Sequence, residues 1–323
     1  MSENKMRAII CEKYGSPEVL KLAQIEKPFP QKNEILIKIY STAVTSSDTY
    51  IRRLNILPLF YRIMAGLFVG FGKPRNPILG MIVSGVIVET GKGVTRFKKG
   101  DEVFGTTVLN GIHTNLGTYA DYKCLPEKSY ITLKPNNMNF IESAAIVFGG
   151  SIAIWCFDKT GFPYDYNKSA KGIKVLVYGA SGSVGTSLVQ IASYFGAEVT
   201  AVCSSSNFEL LKSLGASKFI DYKTDDFTLT GETWDYIFDA VGYKKSKEYV
   251  KNYKRALSSV GKFHSVDDGS PKNSEKQMMI LKNITESGAL TPVIDKIYSL
   301  DQIVMAHQYV DQGHKKGNVI INL

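Results

Sequence analysis

The 323-residue chain has only four cysteines and four histidines. Cys11, Cys124, Cys156 and Cys203 lie far apart, form no C-x-x-C pair and suggest no disulfide framework. They read as reduced, mostly buried thiols, as in a cytoplasmic protein. His113, His264, His307 and His314 show no metal-ligand spacing, and each reads as surface or structural. No targeting segment is visible: Met1–Lys5 is polar and leads directly into a strand pattern. No uninterrupted apolar run reaches the roughly 20 residues of a spanning helix. The nearest approach, Leu54 to Phe71, is broken by Asn55, Pro58 and Arg62, which argues against stable membrane insertion. A weakly membrane-associated surface is the lesser reading of that stretch. There are no internal repeats and no low-complexity tract. The formal net charge is +9, but the lysines are scattered (Lys98-Lys99, Lys171, Lys174, Lys244-Lys245, Lys315-Lys316). Without a basic stripe interleaved with aromatics, nucleic-acid binding is not expected.

What is present is an ordinary globular balance, 44% hydrophobic and 21% charged, in a chain long enough for two domains. Its most informative segment is Lys174-Val175-Leu176-Val177-Tyr178-Gly179-Ala180-Ser181-Gly182-Ser183-Val184-Gly185. An apolar run stops at a glycine, two more glycines follow at three-residue spacing, and a helical pattern begins with Val184, Leu188, Ile191, Ala192 and Phe195 on one face. Strand, glycine turn and helix N-terminus in this order suit a dinucleotide. Gly179 makes the turn, Gly182 lets backbone approach a pyrophosphate, and Gly185 lets helix and strand pack closely. The helix dipole and free N–H groups then favour phosphate.

The pattern continues with strands at Glu198–Cys203, Phe219–Asp221, Trp234–Asp239 and Lys262–Val266, and with helices at Phe208–Leu214 and Lys244–Leu257. This alternation predicts an α/β, doubly wound parallel sheet. Ligands in such sheets bind beyond the strand C-termini, which adds Ala240, Val241 and Ser265 to the candidate cofactor residues. After the second strand the chain reads Ser204-Ser205-Ser206-Asn207, with hydroxyls and no carboxylate to repel a 2′-phosphate. That favours NADPH over NADH, with Tyr222-Lys223 flanking the adenine ribose. The serines could equally cap the next helix, and the two roles are compatible. A basic surface also suits an anionic cofactor.

The N-terminal third has a different texture. Short strands are expected at Met6–Ile10, Val19–Ile25, Glu34–Tyr40 and Gly80–Glu89, the last broken by Gly85, with more around Val103 and Tyr119. Pro126 and Pro135-Asn136-Asn137 mark the exit from this β domain, and Ile141–Asp158 reads as a long apolar helix bridging two domains. The division is expected at 1–135 with 285–323 for the β domain, and 136–284 for the dinucleotide domain.

Together, Val44-Thr45-Ser46-Ser47-Asp48-Thr49-Tyr50-Ile51-Arg52, Ile78-Leu79-Gly80-Met81-Ile82-Val83-Ser84-Gly85, the Phe97–Phe104 turn and strand, Gly179–Gly185, and Gly313-His314-Lys315-Lys316-Gly317-Asn318-Val319-Ile320 resemble the medium-chain dehydrogenase/reductase superfamily, in its zinc-independent quinone oxidoreductase-like branch. The resemblance runs over nearly the whole chain. It implies a GroES-like β-rich catalytic domain completed by C-terminal residues, a Rossmann domain inserted into it, NADPH as cofactor and often a dimer. Zinc members of the superfamily have a cysteine near Ser46-Ser47 and a His-Glu pair after Gly80, where this chain has serines and Met81-Ile82. Catalytic zinc is therefore not expected, and neither is the four-cysteine structural lobe.

Without a metal Lewis acid, the acceptor must take hydride readily, as quinones and α,β-unsaturated carbonyls do. Protein hydrogen bonds to the developing oxyanion complete the requirement. The resemblance puts Tyr50 near the nicotinamide as first candidate donor, and a packed tyrosine is the plain alternative. Thr45 stands where many relatives have Asn, and Asp48 is expected to shape the loop. Three positions depart from the branch: Ile82 replaces an acidic residue, Ile152 a threonine, and Ser206 a basic residue. Leu54–Phe71 reads as an apolar flap or short helix over the active site. Aldehyde/alcohol interconversion is one alternative, and an NADPH-binding protein with little turnover is another.

Overall fold

The computed structural model describes residues 4–56, 58–109, 113–164, 169–246, 250–269, 271 and 274–323. They form two compact units. One comprises residues 1–147, 272–282 and 294–323; the other comprises 148–271 and 283–293. The division falls inside the Phe140–Thr160 helix, at Val147/Phe148, rather than at the proline-marked exit. Segment 272–282 also belongs with the β unit. Proline marks where strands stop, and a continuous helix crossing a boundary leaves no such sign.

The β unit is built on a seven-stranded sheet. Its main path runs Ile294–Ser299, Asn318–Asn322, Glu34–Ala43, Ile82–Thr90, Glu102–Thr106 and Tyr130–Leu133, with Tyr122–Pro126 also pairing to Glu34–Ala43. C-terminal strands thus complete a sheet begun near the N-terminus. Two-residue periodicity sends Ile35, Ile37 and Ile39 to one face, where they pack with Val83, Ile87, Val103, Leu125 and Ile131. Gly85 does not break its strand. A Cβ there would stand 2.1 Å from the Lys38 carbonyl oxygen, so glycine permits close backbone approach inside a continuous strand. Lys5–Cys11 and Leu20–Glu26 form a separate antiparallel hairpin.

The second unit is a five-stranded sheet, parallel throughout, ordered Lys218–Asp221, Glu198–Cys203, Lys174–Tyr178, Trp234–Asp239, Leu257–Ser265. In chain order this is 3-2-1-4-5, the doubly wound arrangement. Its core joins Leu176, Tyr178, Val202, Phe227, Trp234 and Ile237, and the buried Trp234 indole donates to the Thr200 hydroxyl at 3.0 Å. The fifth strand begins five residues before the expected Lys262, at Leu257. Gly261 lies inside it, near a register irregularity between Trp234 and Tyr236, and this bulge disguises the strand as a turn. The expected Lys244–Leu257 helix is replaced by a short helix at Tyr243–Ser246 and a 3-10 segment at Val250–Ala256; residues 247–249 of that expectation lie outside the described residues.

Among the described residues one helix, Phe140–Thr160, is long and apolar enough to cross a membrane; 72% of its most apolar window is buried inside the protein.

Candidate functional site

The dinucleotide residues meet at one end of the parallel sheet. Gly179 ends the first strand with φ +76°, a left-handed conformation that favours glycine, and its N–H donates to the Val202 carbonyl at 2.9 Å. Val241 covers it: a Cβ on Gly179 would lie 2.3 Å from Val241 Cγ1. Gly185 packs the helix on the strand, since a Cβ there would lie 2.2 Å from the Gly179 carbonyl oxygen. Gly182 differs from both. It is the N-cap of the Ser183–Tyr194 helix, with φ −79° and no side-chain cap, and a Cβ on it would meet nothing nearer than 3.6 Å. That open face beside an uncapped helix N-terminus is space that a pyrophosphate can fill. Ser181 is half-buried on the same turn, while Ser183 and Val184 are buried in the first helical turn.

The end of the second strand fits an adenosine ribose. Asn207 is buried, and its Oδ1 finds no donor among the described residues. A buried acceptor without a partner is costly, and a ribose hydroxyl would satisfy it. Ser204 is half-buried and Ser205 exposed; the Ser204 and Ser206 hydroxyls lie 3.4 Å apart. No serine side chain caps the segment beginning at Ser205, so these hydroxyls are not engaged as an N-cap. Tyr222 anchors the loop beside them, its N–H donating to the Cys203 carbonyl at 3.3 Å.

Asp221 was not among the residues singled out from the sequence. Strand register puts it opposite Cys203, and its carboxylate accepts from the backbone N–H groups of Ser205 and Lys223, both at 3.0 Å. These bonds hold its pKa below the ordinary carboxylate value, the Lys223 N–H contributing most. A carboxylate therefore does stand beside the serine loop, supplied by the third strand rather than the second. The missed signal is the Ile220-Asp221-Tyr222 strand end, which register aligns with Cys203.

A second missed residue is Asp239. Its buried carboxylate accepts from the N–H groups of Val241 and Gly242, each at 3.1 Å, and from the hydroxyls of Ser246 at 3.1 Å and Ser265 at 2.9 Å. Burial raises its pKa, and these four bonds oppose the rise. The Ser265 hydroxyl is thus engaged with Asp239 and fully buried, so Ser265 positions the Ala240–Val241 turn rather than offering its side chain to a ligand. Ala240 is held by its own N–H to the Tyr178 carbonyl at 2.9 Å.

In the β unit, Thr45 opens the Ser46–Arg52 helix with a capping box. Its hydroxyl donates to Asp48 Oδ2 at 2.7 Å and its N–H to the same oxygen at 2.8 Å. The donor expected for an acceptor carbonyl is therefore already engaged, and Thr45 sets the helix that carries Tyr50. Asp48 shapes this turn; it is fully buried, and desolvation pushes its pKa up to about 6 against the Thr45 bonds. Tyr50 is not a packed core tyrosine. It is 40% exposed, and the Arg53 guanidinium lies over its ring at 4.7 Å. The same helix is fixed from behind by Arg52, fully buried and paired with Asp311.

The cysteine and histidine expectations divide. Cys11, Cys156 and Cys203 are buried and Cys124 is half-buried, and desolvation raises all four thiols, Cys11 to about 11 and Cys203 to about 12. His264 packs edge-on against Trp155, and His307 is wholly buried against Tyr119. His314 is exposed.

Residues 31–135 match the family described as alcohol dehydrogenase GroES-like domain, and residues 214–321 match that described as zinc-binding dehydrogenase. The tomato (Solanum lycopersicum) 2-methylene-furan-3-one reductase is 33% identical, over 99% of this chain and 79% of its own. The chain belongs to the medium-chain dehydrogenase/reductase superfamily. A second superfamily relative, the chloroplastic NADPH-dependent alkenal/one oxidoreductase of Arabidopsis thaliana, is 27% identical over 98% of this chain and 79% of its own. The solved quinone oxidoreductase from Coxiella burnetii shares the fold with a TM-score of 0.80 at 22% identity, covering 99% of both chains.

A superfamily that includes zinc-binding dehydrogenases raises the question of zinc. Around Thr45–Ser47 and Met81–Ile82 the side chains are hydroxyls, a thioether and an alkyl group, with one carboxylate, Asp48, bonded to Thr45. Among the described residues no three His, Cys, Asp or Glu side chains converge. This donor set does not fit zinc, whose catalytic sites take three protein ligands of those types.

Proposed function

We propose that the chain is an NADPH-dependent oxidoreductase that delivers hydride to a quinone or an α,β-unsaturated carbonyl without zinc. The observation that carries the cofactor half is the open face of Gly182 at the uncapped helix N-terminus. Bound NADPH supplies the hydride. Gly179 and Gly185 shape the turn, Gly182 leaves room for the pyrophosphate, and Asn207 Oδ1 is a ready acceptor for a ribose hydroxyl. Ser204, Ser205, Ser206 and Lys223 are the groups that would meet a 2′-phosphate. Asp221 turns its charge toward the Ser205 and Lys223 N–H groups and the Ser205 hydroxyl, which lessens its opposition to that phosphate and leaves Ser204, Ser206 and Lys223 as the freer donors.

The acceptor half rests on two supports. Relatives named as 2-methylene-furan-3-one reductase, alkenal/one oxidoreductase and quinone oxidoreductase match nearly the whole chain. Among the described residues no three His, Cys, Asp or Glu side chains converge, which directs the reading to acceptors polarised by conjugation. Tyr50 is the group assigned to hydrogen-bond the developing oxyanion, its exposed phenol leaving an aromatic face for a flat acceptor. The proposal extends to a cytoplasmic homodimer.

NADPH oxidation with a quinone, an enal and the matching saturated aldehyde tests the reaction. Turnover of the quinone or enal alone is expected. Turnover of the saturated aldehyde would replace this reading with alcohol/aldehyde interconversion, and tight NADPH binding with no turnover would favour a binding protein. Fluorescence titration tests the cofactor, and NADH binding as tightly as NADPH would overturn the preference.

A further inference from the structure

The Leu59–Val69 helix turns its apolar residues outward. Leu59, Phe60, Ile63, Met64, Leu67 and Phe68 are 66, 70, 48, 45, 49 and 40% exposed. Their spacing, i, i+1, i+4, i+5, i+8 and i+9, gathers them on one half of the helix surface. Ile56 and Phe71 extend the patch at either end, 69 and 60% exposed. Soluble surfaces rarely carry a contiguous apolar patch of this kind without a partner.

Hydrogen bonds to the last carbonyls anchor the C-terminal end of the helix. The Tyr14 hydroxyl reaches the Val69 and Gly70 carbonyl oxygens at 3.0 and 2.9 Å, and the Arg75 N–H donates to Val69 at 2.8 Å. Gly66 is buried under the Phe71 ring, where a Cβ would lie 2.7 Å from Phe71 Cδ1.

The charges carried by this segment have one sign. No Asp or Glu occurs between Asp48 and Glu89, whereas Arg62, Lys73 and Arg75 are all exposed. An exposed apolar helix face on a segment whose only charges are cations matches an anionic lipid surface, where acyl chains take the apolar side chains and headgroups the cations. A second copy of the same face would bring like charges together, which disfavours self-association there. We infer that the Leu59–Val69 helix is a peripheral docking surface for an anionic bilayer, lying in the interface rather than spanning it. A helix of this length, about 16 Å, is too short to span.

Flotation of the full chain with phosphatidylcholine vesicles and with vesicles also containing phosphatidylglycerol tests this. Binding is expected to the anionic vesicles and to weaken as salt rises. Phe60→Ser combined with Leu67→Ser is expected to lower the partition coefficient at least about tenfold. Arg62→Gln combined with Lys73→Gln is expected to lower it about fivefold or more. Hydrogen exchange of the wild-type helix, slowed when anionic vesicles are added, reads the same contact without relying on any variant. No flotation with either vesicle, equal flotation with both, or no loss in the paired variants would overturn the inference. Sedimentation velocity covers the remaining occupant: an oligomer abolished by the apolar pair, with no vesicle binding, assigns the face to a second copy and overturns it as well.

Discussion

A Cβ on Gly185 would stand 2.2 Å from the Gly179 carbonyl oxygen, while one on Gly182, three residues earlier, would touch nothing closer than 3.6 Å. The two glycines of one turn therefore answer to different demands, one to folding and the other to ligand. Gly185→Ala is expected to cost more than about 2 kcal/mol, because the blocking atoms are backbone and cannot rotate away. Gly182→Ala, at an ordinary φ, is expected to change stability by less than about 0.5 kcal/mol yet weaken NADPH binding about tenfold or more. Urea unfolding and a fluorescence titration of both variants separate the effects. Equal cofactor affinity in Gly182→Ala and wild type would remove the pyrophosphate from this face.

Asp239 gathers four donors beneath the Ala240–Gly242 turn from a fully buried position. Asp239→Ala leaves the Val241 and Gly242 N–H groups and two hydroxyls without their acceptor. Each orphaned buried group costs roughly 1–3 kcal/mol and relaxation recovers part of it, so a net loss of about 2–4 kcal/mol is expected. Ser265→Ala removes a single hydroxyl and is expected to cost about 1 kcal/mol. Chemical denaturation of the two variants checks the ratio. Equal losses would show that Asp239 acts through Ser265 alone.

Much of this arrangement was legible in the sequence, for physical reasons. The glycine turn has a fixed spacing, and the first, second and fourth strands of the parallel sheet are apolar runs bounded by turns. What escaped was whatever depends on register or on distant partners. Asp221 reaches the serine loop only because the third strand aligns it with Cys203. Asp239 looks like a strand terminus until four donors from three segments converge on it. Thr45 and Asp48 are only three apart, and the sequence suggested a shaped loop, but not that the Thr45 donor would be engaged by the Asp48 carboxylate. The fifth strand was shortened in the sequence reading because Gly261 mimics a turn.

Tyr50 and Thr45 sit on one helix and are expected to separate by assay. The Tyr50 side chain is 40% exposed, so Tyr50→Phe is expected to leave the thermal midpoint unchanged and lower kcat/KM about ten- to a hundredfold. Thr45→Val removes a capping hydroxyl and is expected to cost about 1 kcal/mol of stability. Its loss of kcat/KM should track the disorder it introduces at Tyr50. An unchanged kcat/KM in Tyr50→Phe would take the oxyanion role away from the phenol.

Two buried groups in the β unit pull stability in opposite directions with pH. His307 has no hydrogen-bond partner on either ring nitrogen among the described residues, and burial, aided by the charge of Arg52, pushes its pKa down from 6.5 to about 3. The unfolded chain takes up that proton near pH 6.5 and the native chain does not, so the stability tied to neutral His307 is full above 6.5 and is lost as pH falls toward 3. Asp48 runs the other way. Burial raises it from 3.8 to about 6, so its contribution is full below 3.8 and is lost as pH rises toward 6. Between about pH 4 and 6 the two slopes oppose each other. Each can be exposed by removing the other. His307→Leu replaces a buried unbonded imidazole with a side chain of similar bulk, so neutral-pH stability is expected to hold within about 1.5 kcal/mol. Its stability should then fall less than wild type as pH drops from about 6 to 4, because the His307 slope is gone while that of Asp48 remains. Asp48→Asn keeps an acceptor for Thr45 and leaves the His307 slope alone, so its stability should fall more steeply than wild type over the same interval. Urea midpoints measured across that range decide the matter: parallel profiles for wild type and both variants would mean that neither group carries the pH dependence assigned to it.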